Sequence, residues 1–277
     1  MTYSSIPPLN AAAILKRHGL RADKSLGQNF LQDHFALEKI ARAAEIQADD
    51  CVLEIGAGLG SLTRYLAVSA RKVAAVELDP ELLAPLKTIL EPHPNVTVTQ
   101  GDILKLKIAD LVDQAGYIVA ANIPYNITSA IIRHLLESDP TPRRIVLTIQ
   151  KEVAERICAA PGDLSLLALS VQVYGEPRIV AKIPAGAFHP IPTVDSAILR
   201  IDIHDEPLIP AEMLPVFFKL IKAGFIQKRK TLRNSLAAGL HIKPADAEAL
   251  LKTVNIDFMR RAETLSIEEW KRLCEAR

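Results

Sequence analysis

The sequence contains little cysteine and no long apolar segment. Its three cysteines, Cys51, Cys158 and Cys274, lie far apart and form no C-x-x-C pair, so we interpret them as ordinary thiols and not as zinc ligands or a redox motif. No apolar run approaches the roughly 20 residues that cross a bilayer, which excludes a membrane-spanning protein. Residues 1–16 lack the cationic start of a secretory signal, so we expect the protein in the cytoplasm.

Several catalytic motifs are also missing. The seven histidines are scattered, and the sequence has no H-x-x-x-H pair, no cluster of cysteine and histidine, and no G-x-S-x-G. There is therefore no signal for a metal centre or a serine nucleophile, and we expect no bound metal.

Charge of one sign is not in excess, since the formal net charge is only +1. A contact with nucleic acid must then come from local clusters of basic residues. Residues 1–22 and 219–245 contain no Asp or Glu. The basic residues of the second stretch are Lys219, Lys222, Lys228, Arg229, Lys230, Arg233 and Lys243.

Short runs rich in Val and Ile alternate with helical patterns from about residue 51 onward. This alternation is typical of βαβ units and predicts an α/β fold with a mostly parallel sheet. We predict seven strands, near residues 51–55, 72–77, 95–99, 117–121, 144–149, 178–183 and 196–203. Helices are expected to begin near Gly60, Pro80, Thr128 and Lys151, with a further helix over residues 164–174.

After His204 the pattern indicates helices only. Apolar spacing marks residues 213–226 and 247–254, and Ser266 with Glu269 forms a capping box that starts a last helix. With residues 207–210 as the linker, we predict a catalytic domain over 1–206, including an N-terminal helical extension, and a small all-α domain over 207–277.

A glycine-rich turn indicates a ribose-bearing cofactor. The segment 54–60 (EIGAGLG) follows a predicted strand and opens a predicted helix, and Glu77 lies 21 residues beyond Gly56. At about this spacing an acidic side chain accepts hydrogen bonds from ribose hydroxyls. The pattern G-x-G-x-G, with Gly58 at its centre, favours S-adenosylmethionine over a dinucleotide because this cofactor has no phosphate. A plain strand-to-helix turn remains the alternative for the glycines alone.

Asp102 follows the third predicted strand in the run Gly101-Asp102-Ile103. A carboxylate there can accept a hydrogen bond from the adenine amine of the cofactor, with Ile103 beside it. Taken singly, an aspartate in this position is more often a turn residue or a helix cap.

The run Asn122-Ile123-Pro124-Tyr125 follows the fourth predicted strand and indicates the reaction. An aromatic amine is a poor nucleophile, so it needs acceptors that favour a pyramidal nitrogen as attack begins. The Asn122 side-chain oxygen and the Ile123 carbonyl can accept its two N–H bonds, while Pro124 restricts the turn and Tyr125 offers a ring on which a base stacks. We predict that Phe188, in a proline-rich loop, holds the other face of the base; a buried core position is its alternative.

These motifs resemble the KsgA/RsmA rRNA adenine dimethyltransferases, which are relatives of the eukaryotic Dim and mitochondrial transcription factor B proteins. The motifs that carry the resemblance span residues 24–31 (KSLGQNFL), 54–60, 77–79, 101–102, 122–125 and 188–196. The resemblance implies a Rossmann-like class I methyltransferase fold. It also implies transfer of two methyl groups to each of two adjacent adenosines in a hairpin near the 3′ end of 16S rRNA, within the immature small ribosomal subunit.

The resemblance also implies which residues line the cofactor site: Asn29, Leu31, Gly56, Glu77, Asp102 and Asn122. It implies that the basic stretch contacts rRNA phosphates, and we assign Lys222, Lys228, Arg229, Lys230 and Arg233 to that contact. A solvated helix face is the alternative for these residues. We expect a monomer. The chain has Leu166-Leu167 where the family usually has a Tyr-Gly pair, so the resemblance does not extend to the RNA contacts of that loop.

Three alternatives stay open. The first is a large-subunit rRNA adenine dimethyltransferase of the macrolide-resistance type, and the second is a non-catalytic role in ribosome assembly or transcription. The third, a nicotinamide-dependent oxidoreductase, shares the glycine turn and Glu77 but leaves residues 122–125 without a purpose.

Overall fold

The structure, a computed structural model, describes residue 3 and residues 6–227 and 229–276. The chain forms two compact units. The first unit comprises Met1–Ala154 and Arg178–Ile203, and the second comprises Glu155–Pro177 and His204–Arg277. In the described part of the chain, no helix is both long and apolar enough to cross a membrane.

The predicted seven-stranded sheet is confirmed. The strands are Phe30–Leu31 (β1), Cys51–Ile55 (β2), Lys72–Glu77 (β3), Val96–Gln100 (β4), Ile118–Asn122 (β5), Arg144–Gln150 (β6), Gly175–Ile183 (β7), Phe188–His189 (β8) and Ser196–Ile203 (β9). The sheet has the order β4-β3-β2-β5-β6-β9-β7, and β1 pairs with β8 outside it. Only the start of β7 differs from its prediction by more than one residue, because the polar alternation of this edge strand begins earlier, at Gly175.

Five neighbouring strands, β4, β3, β2, β5 and β6, run parallel, and β9 is antiparallel to β6. Every residue of β2 is buried, as expected for a parallel strand that is covered on both faces. The strand order reverses between β2 and β5. Open α/β sheets bind ligands beyond the carboxyl ends of the strands at such a reversal.

The helices are Ala11–Arg17 (α1), His34–Ala44 (α2), Thr63–Ser69 (α3), Leu83–Leu90 (α4), Thr128–Leu136 (α5), Lys151–Ile157 (α6), Leu166–Gln172 (α7), Leu214–Gly224 (α8), Leu232–Leu240 (α9), Pro244–Thr253 (α10) and Ile267–Glu275 (α11). α5 and α6 begin where predicted. α3 begins at Thr63 and not near Gly60, because Gly60 has a φ of +79° and cannot be part of a right-handed helix.

The second unit has its own apolar core, in which Phe217 and Trp270 are fully buried. α8 and α9 approach so closely that a Cβ on Gly239 would lie 2.4 Å from the Ala223 Cα atom. The capping box of Ser266 and Glu269 begins α11, as predicted.

Residues 155–177 belong to the second unit, whereas the sequence-based division placed them within 1–206. The physical reason is that Leu164, Leu169 and Val173 share the apolar core of α8 to α11. The division of the chain into catalytic and RNA-contacting domains stays a prediction.

Candidate active site

A cavity opens in the first unit at the carboxyl ends of β2, β3 and β5, where the strand order reverses. It holds about 790 Å³, including space open to solvent. The predicted site residues on its wall are Asn29, Gly56, Gly58, Glu77, Asp102, Ile103, Asn122, Ile123, Pro124 and Tyr125. Segments that are distant in the sequence therefore meet at one place, because the parallel strands end at the same edge of the sheet.

The glycine turn is anchored on the neighbouring strand. The backbone N–H groups of Gly56 and Ala57 donate to the Val76 carbonyl at 2.8 and 3.1 Å. Gly58 has a φ of +57°, and a Cβ there would lie 3.1 Å from Cε1 of Phe30. A side chain at Gly58 would therefore strain the backbone and crowd the wall of the cavity.

Glu77 ends β3 with its carboxylate held by backbone. Its Oε2 accepts from the Gly58 N–H at 2.6 Å, and its Oε1 accepts from the Asp79 N–H at 2.8 Å. Burial raises the pKa of Glu77, and these two hydrogen bonds oppose that rise. Each carboxylate oxygen keeps a further lone pair for a ligand hydroxyl.

Glu54, at the end of β2 beneath the glycine turn, is a buried carboxyl that sequence reasoning gave no role of its own. It is 1% exposed, and its Oε2 has no hydrogen-bond partner among the described residues. Burial raises its pKa to about 8, with a contribution from the nearby charge of Glu77. Glu54 is therefore a neutral acid over much of the physiological range.

Asp102 is a turn residue on the cavity wall, and its hydrogen bond to the cofactor stays a prediction. Its Oδ1 accepts from the Leu104 N–H at 3.1 Å, which makes it a turn residue, and it also lines the cavity. Ile103 is buried and contributes an apolar part of the wall.

Asn122 is the last residue of β5, and its amide has a defined orientation. The Nδ2 group donates to the Asn29 carbonyl at 2.9 Å. The side-chain oxygen, Oδ1, accepts no hydrogen bond from the described residues. It is therefore the amide atom that is available to a ligand in the cavity. Ile123 and Pro124 continue the wall, and Ile123 is buried.

Tyr125 begins a 3₁₀ turn directly after Pro124. Its hydroxyl lies 2.6 Å from the hydroxyl of Ser196, the fully buried first residue of β9, and burial raises the pKa of Tyr125. Sequence reasoning missed this role of Ser196. The available signal was its place in the motif 188–196.

Two predicted site residues do not line the cavity. Leu31 and Phe188 are backbone partners in the β1–β8 pair, and both side chains are 2% exposed within the main apolar core of the first unit. Phe188 thus lies in the buried core, which was the alternative interpretation of this residue in the sequence. Its role as a stacking surface gains no support from this arrangement and stays a prediction.

Three of the predicted RNA-contacting residues, Lys222, Arg229 and Lys230, are exposed. Arg233 instead pairs with Glu248 at 3.0 Å and lies over the Phe258 ring at 5.4 Å, so its side chain is held within the second unit by a carboxylate that also pairs with Lys252. Lys228 lies outside the described residues. Within the described ranges, no group of three or more His, Cys, Asp or Glu side chains is arranged to hold a metal ion.

Comparisons with known proteins connect this chain to rRNA methylation. Residues 19–276 match the family described as "Ribosomal RNA adenine dimethylase". The chain is 45% identical over 277 residues to "Ribosomal RNA small subunit methyltransferase A" of Dehalococcoides mccartyi (strain ATCC BAA-2266 / KCTC 15142 / 195), covering 99% of this chain and 95% of the relative. It is 41% identical to the protein of the same name from Alkaliphilus metalliredigens (strain QYMF), covering 97% and 96%.

Two solved structures share the fold. The crystal structure of the 23S rRNA methyltransferase ErmE superposes with a TM-score of 0.72 at 32% identity, covering 90% of this chain and 99% of that one. A dimethyladenosine transferase from Plasmodium falciparum superposes with a TM-score of 0.74 at 27% identity, covering 88% and 95%.

Proposed function

Since the chain belongs to the ribosomal RNA adenine dimethylase family, we propose that it dimethylates two adjacent adenosines in a hairpin near the 3′ end of 16S rRNA. Its activity is that of an S-adenosylmethionine-dependent rRNA adenine N6,N6-dimethyltransferase with a class I methyltransferase fold. The observation that carries the proposal is the Asn122 amide, whose nitrogen is bound to Asn29 while its oxygen stays available at the cavity wall.

The residues of the cavity fit the cofactor. The bent glycine turn at Gly56 and Gly58 brings backbone close to it, and Glu77 accepts from its ribose hydroxyls. Asp102 accepts from its adenine amine, beside the apolar surface of Ile103. S-adenosylmethionine, when bound, supplies a methyl group on a positively charged sulfonium.

Asn29 and Leu31 complete the set that we propose for the cofactor. Asn29 lines the cavity, whereas Leu31 is buried and can contribute only through its backbone and through the position of β1.

The adenine amine is activated by acceptors on the turn after β5. Asn122 Oδ1 and the Ile123 carbonyl accept its two N–H bonds, which withdraws the nitrogen lone pair from the ring as the amine pyramidalises. Pro124 fixes the turn, and Tyr125 stacks on the base. The base must leave its stack to reach this turn, at a cost of a few kcal/mol unless it lies in the loop of the hairpin.

A cofactor held by Glu77 and Asp102 would bring its methyl group to the amine at Asn122, and this proximity and alignment would accelerate the transfer without a covalent intermediate with the protein. The residues of this chain position the two reactants and accept hydrogen bonds.

The basic residues of the second unit provide a contact for rRNA phosphates. Lys222, Arg229 and Lys230 are exposed, and no ion pair joins them to a described carboxylate. We include Lys228 in the same proposal on its sequence position.

We further propose that the substrate is 16S rRNA within an immature small subunit, and that the protein acts as a cytoplasmic monomer.

A large-subunit substrate is less well supported, because identity to the 23S rRNA methyltransferase is 32% against 45% to the small-subunit relative. A non-catalytic role fits poorly with a cavity that keeps every predicted acceptor. Incubation with labelled S-adenosylmethionine and either undermethylated small subunits or large subunits, followed by nucleoside analysis, tests the choice. We expect dimethyladenosine in 16S rRNA only; label confined to 23S rRNA would overturn the assignment.

A further inference from the structure

A strap of residues 23–29 crosses one side of the cavity. Leu26, Gly27, Gln28 and Asn29 line the cavity, although the strap belongs to no helix or strand. Its position must therefore be set by side-chain and turn contacts, because it has no ladder of backbone hydrogen bonds to a neighbouring strand.

Gln28 is bound at both ends of its amide. Its Oε1 accepts from the Asp23 N–H at 2.8 Å, which closes the strap on itself. Its Nε2 donates to Asp79 Oδ2 at 2.6 Å, across 51 residues of sequence. The other oxygen of that carboxylate, Oδ1, accepts from the Glu81 N–H at 2.9 Å, so Asp79 is itself fixed.

Asp79 leads directly to the proposed ribose subsite. Its backbone N–H donates to Glu77 Oε1, and Glu77 Oε2 accepts from the glycine turn at Gly58. A hydrogen-bond path thus runs from the glycine turn through two carboxylates to the side chain of Gln28.

The far end of the strap meets the methylating turn. The Asn29 carbonyl accepts from Asn122 Nδ2 at 2.9 Å, and Asn29 Nδ2 donates to the Gly27 carbonyl at 3.1 Å. Gly27 has a φ of +66°, and a Cβ there would lie 3.2 Å from the Pro124 Cβ. The strap therefore packs directly on Pro124 while it holds the amide of Asn122.

We propose that Gln28 is a positioning residue that couples the ribose subsite at Glu77 to the orientation of Asn122; this rests on the proposed function. With Gln28 bound to Asp79, the Asn29 carbonyl is fixed and keeps Asn122 Nδ2 engaged. Without that bond the strap moves, and the Asn122 amide is free to turn its NH₂ group toward the substrate amine. Misplacement of one acceptor by about 1 Å can cost about 100-fold in rate.

A reversed pair of side chains tests this coupling in the full-length protein. Gln28→Glu places two carboxylates in contact, and Asp79→Asn removes the acceptor. The double variant Gln28→Glu with Asp79→Asn restores one hydrogen bond with donor and acceptor exchanged, and the new amide oxygen can still accept from the Glu81 N–H. Gln47→Glu, the same substitution at an exposed glutamine in the loop before β2, is the matched control.

Two readouts are measured for each variant. One is the single-turnover rate of methyl transfer to undermethylated small subunits at saturating S-adenosylmethionine. The other is hydrogen exchange of residues 23–29 with and without S-adenosylhomocysteine. We expect Gln28→Glu to lower the rate about 10- to 100-fold and to lose the protection given by S-adenosylhomocysteine, while the double variant regains at least about tenfold of the rate and the protection.

An unchanged rate and unchanged protection in Gln28→Glu, or a double variant no better than the worse single variant, would overturn the coupling. If the wild-type protein transfers no methyl group to rRNA, it is the proposed function that fails. The role of Gln28 in holding the strap is then tested by hydrogen exchange alone. Unchanged protection in Gln28→Glu, or no recovery of protection in the double variant, would overturn it.

Discussion

The Tyr125 hydroxyl lies 2.6 Å from the Ser196 hydroxyl, so the proposed stacking ring is tied to the buried start of β9. β9 lies beside β6, and β6 lies beside β5, whose end carries Asn122. The sheet therefore holds both the proposed hydrogen-bond acceptor for the target amine and the ring that we propose as the support of the target base.

Removing either hydroxyl should loosen the ring. We expect Tyr125→Phe and Ser196→Ala each to lower kcat/KM for rRNA about 5- to 10-fold, since a hydrogen bond contributes about 1 kcal/mol. The double variant should be little worse than either single one, because both substitutions remove the same hydrogen bond. Steady-state kinetics on undermethylated subunits provide the measurement.

Tyr117→Phe is the matched control for that pair, because the Tyr117 hydroxyl lies 3.5 Å from the Ser138 hydroxyl and Tyr117 does not line the cavity. Its kcat/KM should equal that of the wild type. Strictly additive losses in the Tyr125 and Ser196 variants would contradict a shared hydrogen bond.

Glu54 should make the protein less stable as the pH rises. The pKa of Glu54 is raised from 4.5 to about 8, so between these values the folded protein keeps a proton that the unfolded chain releases. The free energy of unfolding therefore falls across this window, by a few kcal/mol in total, and the loss is complete above pH 8.

Glu54→Gln keeps the side chain neutral and should flatten this decline. Urea unfolding at pH 5, 6.5 and 8 measures it, with the exposed Glu91→Gln as the control that leaves the slope unchanged. If the free energy of unfolding of Glu54→Gln falls with pH as steeply as that of the wild type, Glu54 is charged in the folded protein.

A side chain at Gly58 should weaken cofactor binding in addition to lowering the stability of the fold. Gly58→Ala faces a positive φ and a contact of 3.1 Å with Phe30, whereas Gly116→Ala faces a φ of +70° with no atom within 4 Å. Both variants should be destabilised by about 1–2 kcal/mol through backbone strain. Calorimetric titration with S-adenosylhomocysteine should show at least tenfold weaker binding for Gly58→Ala alone. Equal affinity in the two variants would argue against the close approach of the ligand.

Arg229 and Lys230 should contact phosphates, and Arg233 should not. Replacing Arg229 and Lys230 with alanine should lower the slope of log affinity against log salt by about 1 for each phosphate that these residues neutralise. Arg233→Ala should leave that slope unchanged and destabilise the second unit, because Arg233 pairs with Glu248. Filter binding to undermethylated subunits from about 50 to 200 mM salt distinguishes them, and a reduced slope in Arg233→Ala would contradict this division.

Local sequence patterns predicted the sheet well because buried parallel strands need continuous Val and Ile runs. They also predicted which motifs meet, since strand ends converge at one edge. The sequence pattern did not predict α9, because Asn234, Ser235 and Gly239 are weak helix formers. The stability of this helix comes from packing on α8.

The remaining differences arise from tertiary contacts. Ser196 and Gln28 acquire their roles from partners 71 and 51 residues away, which no local pattern records. Phe188 is directed inward by a strand pair of two residues, too short to show a period. The Arg233 side chain is held by Glu248 from the next helix, a contact that a count of basic residues does not show.

Single-turnover methyl transfer by Asn122→Ala to undermethylated small subunits most directly tests whether the amide oxygen at the end of β5 activates the adenine amine. At saturating S-adenosylmethionine we expect a loss of at least about 100-fold in rate, the effect of removing one preorganised hydrogen-bonding group, with RNA affinity unchanged. Methyl transfer at the wild-type rate would contradict the account.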